Sequence, residues 1–572
     1  MYPIIFLDIE TNLAHNTIWL VVTQLDDVVK EWTSAEGLEK YLEGSTVCGH
    51  NIIGFDAPVL KKVWNVYIDE SCLVDTLVMS RLYSPDIEPA CIVGEKAPSP
   101  HSLAAWGIRL SMYKGSFTNY DGGYSEDMVV YCKQDVAITS YLYNHLSSLL
   151  SRENFSQQSI ALEHKAALIC KQMEVNGFML DEPKAMTLMA QLSGRMSEIE
   201  SKMQEVFLPI VEERLSDKTG KRLKDKTTIF NPGSRQQIAE RLQTLGVVFT
   251  KHTDKGHIIV DEAVLEGIQL PEAKLVAEYL LIQKRVAQLK SWLELVQPDG
   301  RVHGKVITNG AVTGRCTHSS PNMGQVPSVA SPYGPECREM WTVPNGKVLV
   351  GVDLSGIELR CLAHYMRDDE WQHELLNGDV HWKNAKAFGL VGKDVAKDDG
   401  NQDHKRIRNL TKVMTYAMLY GAGPEKIGIT AGVSKPKGRK LIDNFLYNTP
   451  ALRKLKEKIE KLSTDGTLPG LDGRRLRIRA PHAALNTLLQ GAGAVVAKQW
   501  LVECSKGLAE ASIPAKLVAF VHDETQWEID VVYAQQAKFI IEQAAVKAGE
   551  ALQFRCPVAA EGKVGNNWKE CH

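Results

Sequence analysis

"AKLVAFVHDETQWEID", residues 515–530, sets two strand-like runs on either side of His522, Asp523 and Glu524. The first run is apolar enough for a buried strand, and Thr525-Gln526-Trp527-Glu528-Ile529 resumes an alternation of period two. The tip between them carries two adjacent carboxylates. A polar hairpin tip satisfies that pattern. So does a turn that holds a multivalent cation, because neighbouring like charges need a cation or a proton between them. The rest of the chain has to separate the two readings.

With 572 residues the chain has room for several cores, about three to four domains. At 44% hydrophobic and 24% charged it has an ordinary globular composition. No run of 18 apolar residues occurs, and Met1-Tyr2-Pro3-Ile4 lacks a basic leader, so neither a membrane span nor a secretory signal is expected. The 11 cysteines are scattered without a C-x-x-C pair, which points to reduced thiols in a cytoplasm. A net charge of −3 does not suggest a nucleic-acid binder, but the charge is segregated. Between Asn401 and Lys440 nine Lys/Arg face two acids, Asp403 and Glu425. A second basic knot, Arg474-Arg475-Leu476-Arg477-Ile478-Arg479, follows an Asp472-Gly473 turn signal.

Along the chain, "PIIFLDIETN" and "TIWLVVTQL" predict strands, and "EDMVVYCKQDVAITSYLYNHLSSLL" a long amphipathic helix. From Ser156 the pattern turns helical, with a stop at Asn176-Gly177. "EAKLVAEYLLIQKRVAQLKSWLELV" suits either an antiparallel helix pair or one extended arm. Strand character returns near Val302, most clearly in "KVLVGVDLS"; helices fill about 366–462, and a strand–helix–strand pattern closes the chain. The expectation is an α/β domain, a helical region, then a mixed sheet interrupted by a helical insertion.

Two sets of carboxylates stand out. Asp8 and Glu10 lie two apart on a strand and share a face. Asn51 and Asp56 follow, and then Tyr131 and Asp135, one helical turn apart. Four carboxylates from three elements can hold two divalent ions roughly 3.5–4 Å apart. In the second set, "VGVDLSGIELRCLAHY" ends a strand at Asp353 and opens a helix through Glu358. "DHKRIRNLTKVMTYAMLYGAG" predicts a helix with Arg408, Lys412, Tyr416 and Tyr420 on one stripe, stopped by Gly421. Two cations followed by aromatics suit a polyanion attached to a flat ring.

The first set resembles the DnaQ-like proofreading 3′–5′ exonuclease family. That resemblance makes Asp8, Glu10, Asp56 and Asp135 the ligands of two metal ions, and Tyr131 the residue that orients the attacking water. In the second set, Asp353, Ser355, Glu358, Leu359 and Arg360 resemble motif A of the A-family (Pol I-like) DNA polymerases. Arg408, Lys412, Tyr416 and Tyr420-Gly421 resemble motif B, and His522-Asp523-Glu524 motif C. The closest resemblance is to replicative polymerases of short-tailed, podovirus-type bacteriophages.

It implies an α/β multidomain chain: an RNase H-like 3′–5′ exonuclease domain (1–152), then a right hand of thumb (153–300), palm (301–365), fingers (366–470) and second palm part (471–572). Asp353, Asp523 and the Leu354 carbonyl would hold two Mg²⁺ ions, with Mn²⁺ as the alternative, and Glu524 would be a weaker catalytic carboxylate. Glu358, His381, Arg408, Lys412 and Tyr416 would bind the dNTP: Glu358 as the gate against ribose, Lys412 also as a proton donor to pyrophosphate. Arg315, Tyr420, Asn486, Gln490 and His522 would contact DNA. Implied partners are primer–template DNA, dNTPs, a phage helicase-primase and a single-stranded DNA-binding protein in the host cytoplasm. "ERLSDKTGKRLKDKTTIF", residues 213–230, stands where such phage enzymes carry a long thioredoxin-capturing insertion. It is short and poor in apolar residues, so no use of thioredoxin is expected. Two other readings fit the sequence less well. A catalytically decayed DNA-binding accessory protein conflicts with the retention of all six principal carboxylates. A nuclease alone leaves the Arg408 stripe and the Asp353/Asp523 pair unexplained.

Overall fold

The computed structural model describes residues 2–215, 218, 220–253 and 255–571. The N-terminal unit is built on a five-stranded sheet. Strand Ile4–Thr11 lies at its centre, antiparallel to Ile18–Leu25 and parallel to Thr46–Gly49, with Val28–Trp32 and Leu73–Asp75 at the edges. Ile5, Leu7 and Ile9 bury into one core. Phe6, on the opposite face, packs with Met128, Val129, Cys132 and Val136 of the helix Glu126–Arg152. Period two therefore turns Asp8 and Glu10 toward that helix, whose start Ser125 caps by accepting from Met128 N–H.

The C-terminal half rests on a four-stranded antiparallel sheet ordered Ala515–Val521, Glu524–Asp530, Lys347–Leu354, Ala560–Gly565. The two central strands pair from Lys347↔Asp530 to Asp353↔Glu524. Trp527 and Ile529 bury against the helices Ala484–Glu510 and Ala534–Ala551. Seven paired positions fix the register, and a one-residue slip would exchange apolar Trp527 and Ile529 with the buried polar Gln526 and Glu528. Helices between Asp369 and Leu462 fill the insertion, as expected.

Helix Gln157–Asn176 packs against Ala484–Glu510 through a buried ionic cluster. Lys498 Nζ donates to both oxygens of Glu163 at 2.7 and 2.8 Å and to Asn309 Oδ1 at 3.1 Å, and Arg474 bridges Glu163 and Asp472 at 2.7 Å each. Buried charges persist only when paired and hydrogen-bonded in this way. A separate core joins helix Glu182–Val206 to Pro271–Glu294, reinforced by Arg195 Nε donating to Glu278 at 2.8 Å. The lysine-rich stretch 271–294 is thus one continuous helix rather than a pair.

Two further expectations change. The region 153–300 is not wholly helical, because Ile210–Leu215 and Arg222–Thr228 form a β-hairpin. Of the stretch 213–230, residues 216, 217 and 219 lie outside the described residues. The second basic knot is not a free cationic surface. Arg474 is buried in the cluster above, and Arg475 Nε donates to the Glu153 carbonyl at 3.1 Å. Arg477 lies over the Tyr83 ring at 5.3 Å, and Arg479 pairs with Asp86 at 3.2 Å. These cations fasten the N-terminal unit to the rest of the chain.

Candidate active site

The turn quoted at the outset is a two-residue hairpin loop, with His522 in the left-handed region at φ 60°. It folds onto the end of the neighbouring strand: Leu354 N–H donates to the Asp523 carbonyl at 3.0 Å. Asp353 and Asp523 therefore end up at the same edge of the sheet. Burial, then the Glu358 carboxylate, pushes the Asp523 carboxyl up to about 6. Glu358, in the first turn of helix Ile357–Met366, accepts from Arg315 Nη2 at 3.3 Å and from Tyr420 Oη at 3.2 Å. Burial and Glu358 raise Tyr416 and Tyr420 to about 12, so both stay protonated hydroxyls.

Helix Gln402–Leu419 carries the stripe, and Tyr420 caps it before Gly421 turns away at φ 83°. The Tyr416 ring sits 6.2 Å from that of Tyr420 and 6.4 Å from that of His381. Lys412 is exposed and Arg408 half-buried. His381 is buried, and its Nδ1 has no hydrogen-bond partner among the described residues. Burial and Arg408 lower its ring to about 4, which leaves it neutral. On helix Ala484–Glu510, Asn486 and Gln490 stand one turn apart, and Asn486 Oδ1 is buried without a hydrogen-bond partner among the described residues.

In the N-terminal unit Asp8, Glu10, Asp56, Asp135 and Tyr131 line one cavity of about 270 Å³ together with Lys114, His50 and Asn51. Burial and then Asp135 push Asp8 up to about 7; burial and then Asp8 push Glu10 up to about 8. Asp56 and Asp135 are raised as well, chiefly by burial.

A family model described as DNA polymerase family A matches residues 201–570. The DNA-directed DNA polymerase of Enterobacteria phage T3 is 34% identical, over 92% of this chain and 93% of its own length.

This chain belongs to DNA polymerase family A.

DNA polymerase I of Aquifex aeolicus is 26% identical over 99% of this chain and 96% of its own. The solved POL domain of Pol1 from M. smegmatis, in complex with DNA primer-template and dNTP, has the same fold. Its TM-score is 0.79 at 17% identity, covering 99% of this chain and 95% of that one. The chain is accordingly a DNA-directed DNA polymerase, a nucleotidyltransferase with phage relatives. Polymerases of this family generally use divalent metal ions such as Mg²⁺. No described helix is long and apolar enough to cross a membrane, and all 11 cysteines are free.

Three side chains of this polymerase's candidate sites escaped the sequence reading. Lys114 donates to Asp135 and lies 4.8 Å over the Tyr131 ring. No motif marks it, since it lies on an irregular stretch between two helices. Cys132 Sγ lies 3.4 Å from Asp8 Oδ2. Burial and Asp8 raise its thiol well above the usual range, so it stays protonated and donates. Asp379 receives Arg408 Nε at 2.6 Å. Glu524 stands directly across the antiparallel ladder from Asp353, on the same face of the sheet. Its Oε1 accepts from Gln526 Nε2 at 2.6 Å and Trp568 Nε1 at 2.5 Å, and Arg338 Nη1 lies 3.7 Å from Oε2.

Proposed function

We propose that this chain is a replicative polymerase that extends a primer 3′-hydroxyl by a two-metal mechanism and proofreads with a 3′–5′ exonuclease in its N-terminal unit. The observation that carries the first half is the convergence at Asp523. The Asp353 strand, the Glu358 helix and the Tyr416/Tyr420 helix all meet there, and burial and then Glu358 push the carboxyl up. The donors are chiefly carboxylate oxygens, which suit a hard ion, with the protonated Cys132 thiol beside Asp8 and Glu10. Asp353, Asp523 and the Leu354 carbonyl would hold Mg²⁺ in one site, with Asp8, Glu10, Asp56 and Asp135 holding it in the other; Mn²⁺ fits the same donors. Bound there, the ions supply the charge that activates the primer hydroxyl or attacking water and neutralises the leaving group.

The chain's own residues then divide the work. Glu358, fixed between Arg315 and Tyr420, fills the space a ribose 2′-hydroxyl would need. Arg408 and Lys412 give cations to the triphosphate, and the unpartnered Nδ1 of buried His381 awaits a phosphate oxygen or its proton. Lys412 would return a proton to pyrophosphate. Asn486, Gln490 and Arg315 would read the minor groove of the primer–template, where a buried acceptor without a partner is matched by a base-edge donor. Tyr420 stacks at the same end, and His522 supports the primer terminus. In the N-terminal unit Tyr131 would orient the attacking water. This reading makes residues 1–152 the exonuclease, 153–300 the thumb, 301–365 and 471–572 the palm, and 366–470 the fingers. A helicase-primase and a single-stranded DNA-binding protein would act beside it. With only a short hairpin at 210–228, it would not use thioredoxin.

Primer extension with and without dNTPs tests the core of this reading. Extension with dNTPs and 3′ shortening without them support both activities. Shortening alone would leave a nuclease, and neither activity would leave a DNA-binding accessory.

A further inference from the structure

An acidic side chain stands among the cations assigned to the triphosphate. Asp379 is the N-cap of helix Val380–Phe388, where its Oδ1 accepts from the backbone N–H groups of His381 at 3.1 Å and Trp382 at 3.2 Å. Its other oxygen, Oδ2, accepts from Arg408 Nε at 2.6 Å and Lys397 Nζ at 2.8 Å. The carboxylate is mostly buried, with 16% of its side chain exposed. Lys397 and Arg408 hold it down at about 2 against the opposing effect of burial, so it is ionised throughout the working range.

Helix capping explains only half of this arrangement. A cap needs one acceptor oxygen, and Asn or Ser provides it as well as Asp does. It does not explain why the second oxygen reaches a guanidinium on another helix, nor why a negative charge is tolerated beside a polyanion site. The bond to Arg408 is made by Nε, the inner donor of the guanidinium. An arginine pinned there keeps the outer edge of its fork for a second anion, in an orientation already fixed. The same carboxylate fixes the first turn of the helix that carries His381.

We propose that Asp379 is a positioning residue for nucleotide binding, one carboxylate setting both the fork of Arg408 and the start of the His381 helix toward the incoming triphosphate. This inference rests on the reading that Arg408 and His381 receive the dNTP phosphates. Ordering a long arginine side chain beforehand removes part of the entropy cost of binding, so loss of the clamp shows in dNTP affinity more than in chemistry.

The test is single-turnover incorporation by the full chain on primer–template, which separates the Kd for dNTP from the rate constant kpol. Asp379→Asn keeps the capping oxygen and removes the charge; Asp379→Ser does the same with a smaller group. Each is expected to raise the dNTP Kd roughly fivefold, with kpol within about twofold, primer–template affinity unchanged and Tm lowered by the loss of the Lys397 and Arg408 ion pairs. In Asp379→Asn with Arg408→Ala the Kd is expected to match Arg408→Ala alone, because Asp379 acts through Arg408. If Arg408→Ala leaves the dNTP Kd unchanged, the phosphate-site reading itself fails. If Arg408→Ala weakens dNTP binding while both Asp379 variants keep the wild-type Kd, that reading stands and the positioning role is overturned. The role is also overturned if the double variant is additive, or if Tm, kpol and DNA affinity fall together in both Asp379 variants.

Discussion

Tyr420 donates its phenolic hydroxyl to Glu358 Oε1 across 3.2 Å, tying the end of the motif B helix to the first turn of the motif A helix. Arg315 holds the same oxygen from the other side at 3.3 Å. Glu358 is thus held by two donors from different segments. Glu358→Ala is expected to admit ribonucleotides, raising the ratio of ribo- to deoxynucleotide incorporation by at least about tenfold, the scale of a lost steric and hydrogen-bonding contact. Tyr420→Phe, which loosens Glu358 without removing it, should fall in between. Competition kinetics with rATP and dATP check both, and an unchanged ratio in Glu358→Ala would remove Glu358 from the sugar pocket.

Asp523→Asn and Asp353→Asn keep the size of each side chain and remove its charge. Each should lower single-turnover primer extension by at least about a hundredfold, corresponding to several kcal/mol of charge stabilisation at the transition state. Chelating divalent ions should do the same to the unaltered enzyme. A variant that extends primers within tenfold of wild type would displace that residue from the metal site.

The N-terminal cluster and the Asp523 turn lie in separate sheets with separate cores. Asp8→Ala combined with Glu10→Ala should therefore abolish 3′ shortening of a labelled primer and leave extension within about twofold. Loss of extension in a folded double variant would show that the two sites are not independent.

The same cluster sets a pH dependence. Asp8 and Glu10 are raised from 3.8 and 4.5 to about 7 and about 8. A raised carboxyl favours the folded state while protonated, so its contribution is complete below the unfolded value and is lost as pH climbs through the folded one. In EDTA, Tm should fall between about pH 5.5 and about pH 8.5, and fall less in Asp8→Asn with Glu10→Gln. Added Mg²⁺ or Mn²⁺ should recover Tm more at the alkaline end, because ligands must be deprotonated to bind. Calorimetry across that range checks it; equal slopes for variant and wild type would refute it.

What was legible in the sequence was what recurs locally. Strand alternation placed Asp8 with Glu10, helical spacing placed Tyr131 with Asp135, and the stripe from Arg408 to Tyr416 came out on one helix with Tyr420 at its cap. The contacts that complete the sites could not be read this way, because each joins segments distant in the chain. Lys114 reaches Asp135 from an irregular segment, Trp568 reaches Glu524 from the far C-terminus, Arg479 pairs with Asp86, and Arg477 lies over the Tyr83 ring. A run of arginines looks the same in sequence whether it will meet phosphates or carboxylates. The lysine-rich stretch 271–294 was open between one helix and two because periodicity alone marks no break.

Glu163 and Lys498 are 335 residues apart in the chain. At synthesis rates of about 5–20 residues per second that separation is roughly 20–70 s of translation. The five-stranded N-terminal sheet can form once helix Glu126–Arg152 has left the ribosome, since its strands lie within the first 75 residues and that helix covers one face. The helix Gln157–Asn176 cannot bury Glu163 until its two cations, Arg474 and Lys498, have been made. Nascent chains halted before residue 498 should leave this helix open to protease while the N-terminal sheet is already resistant.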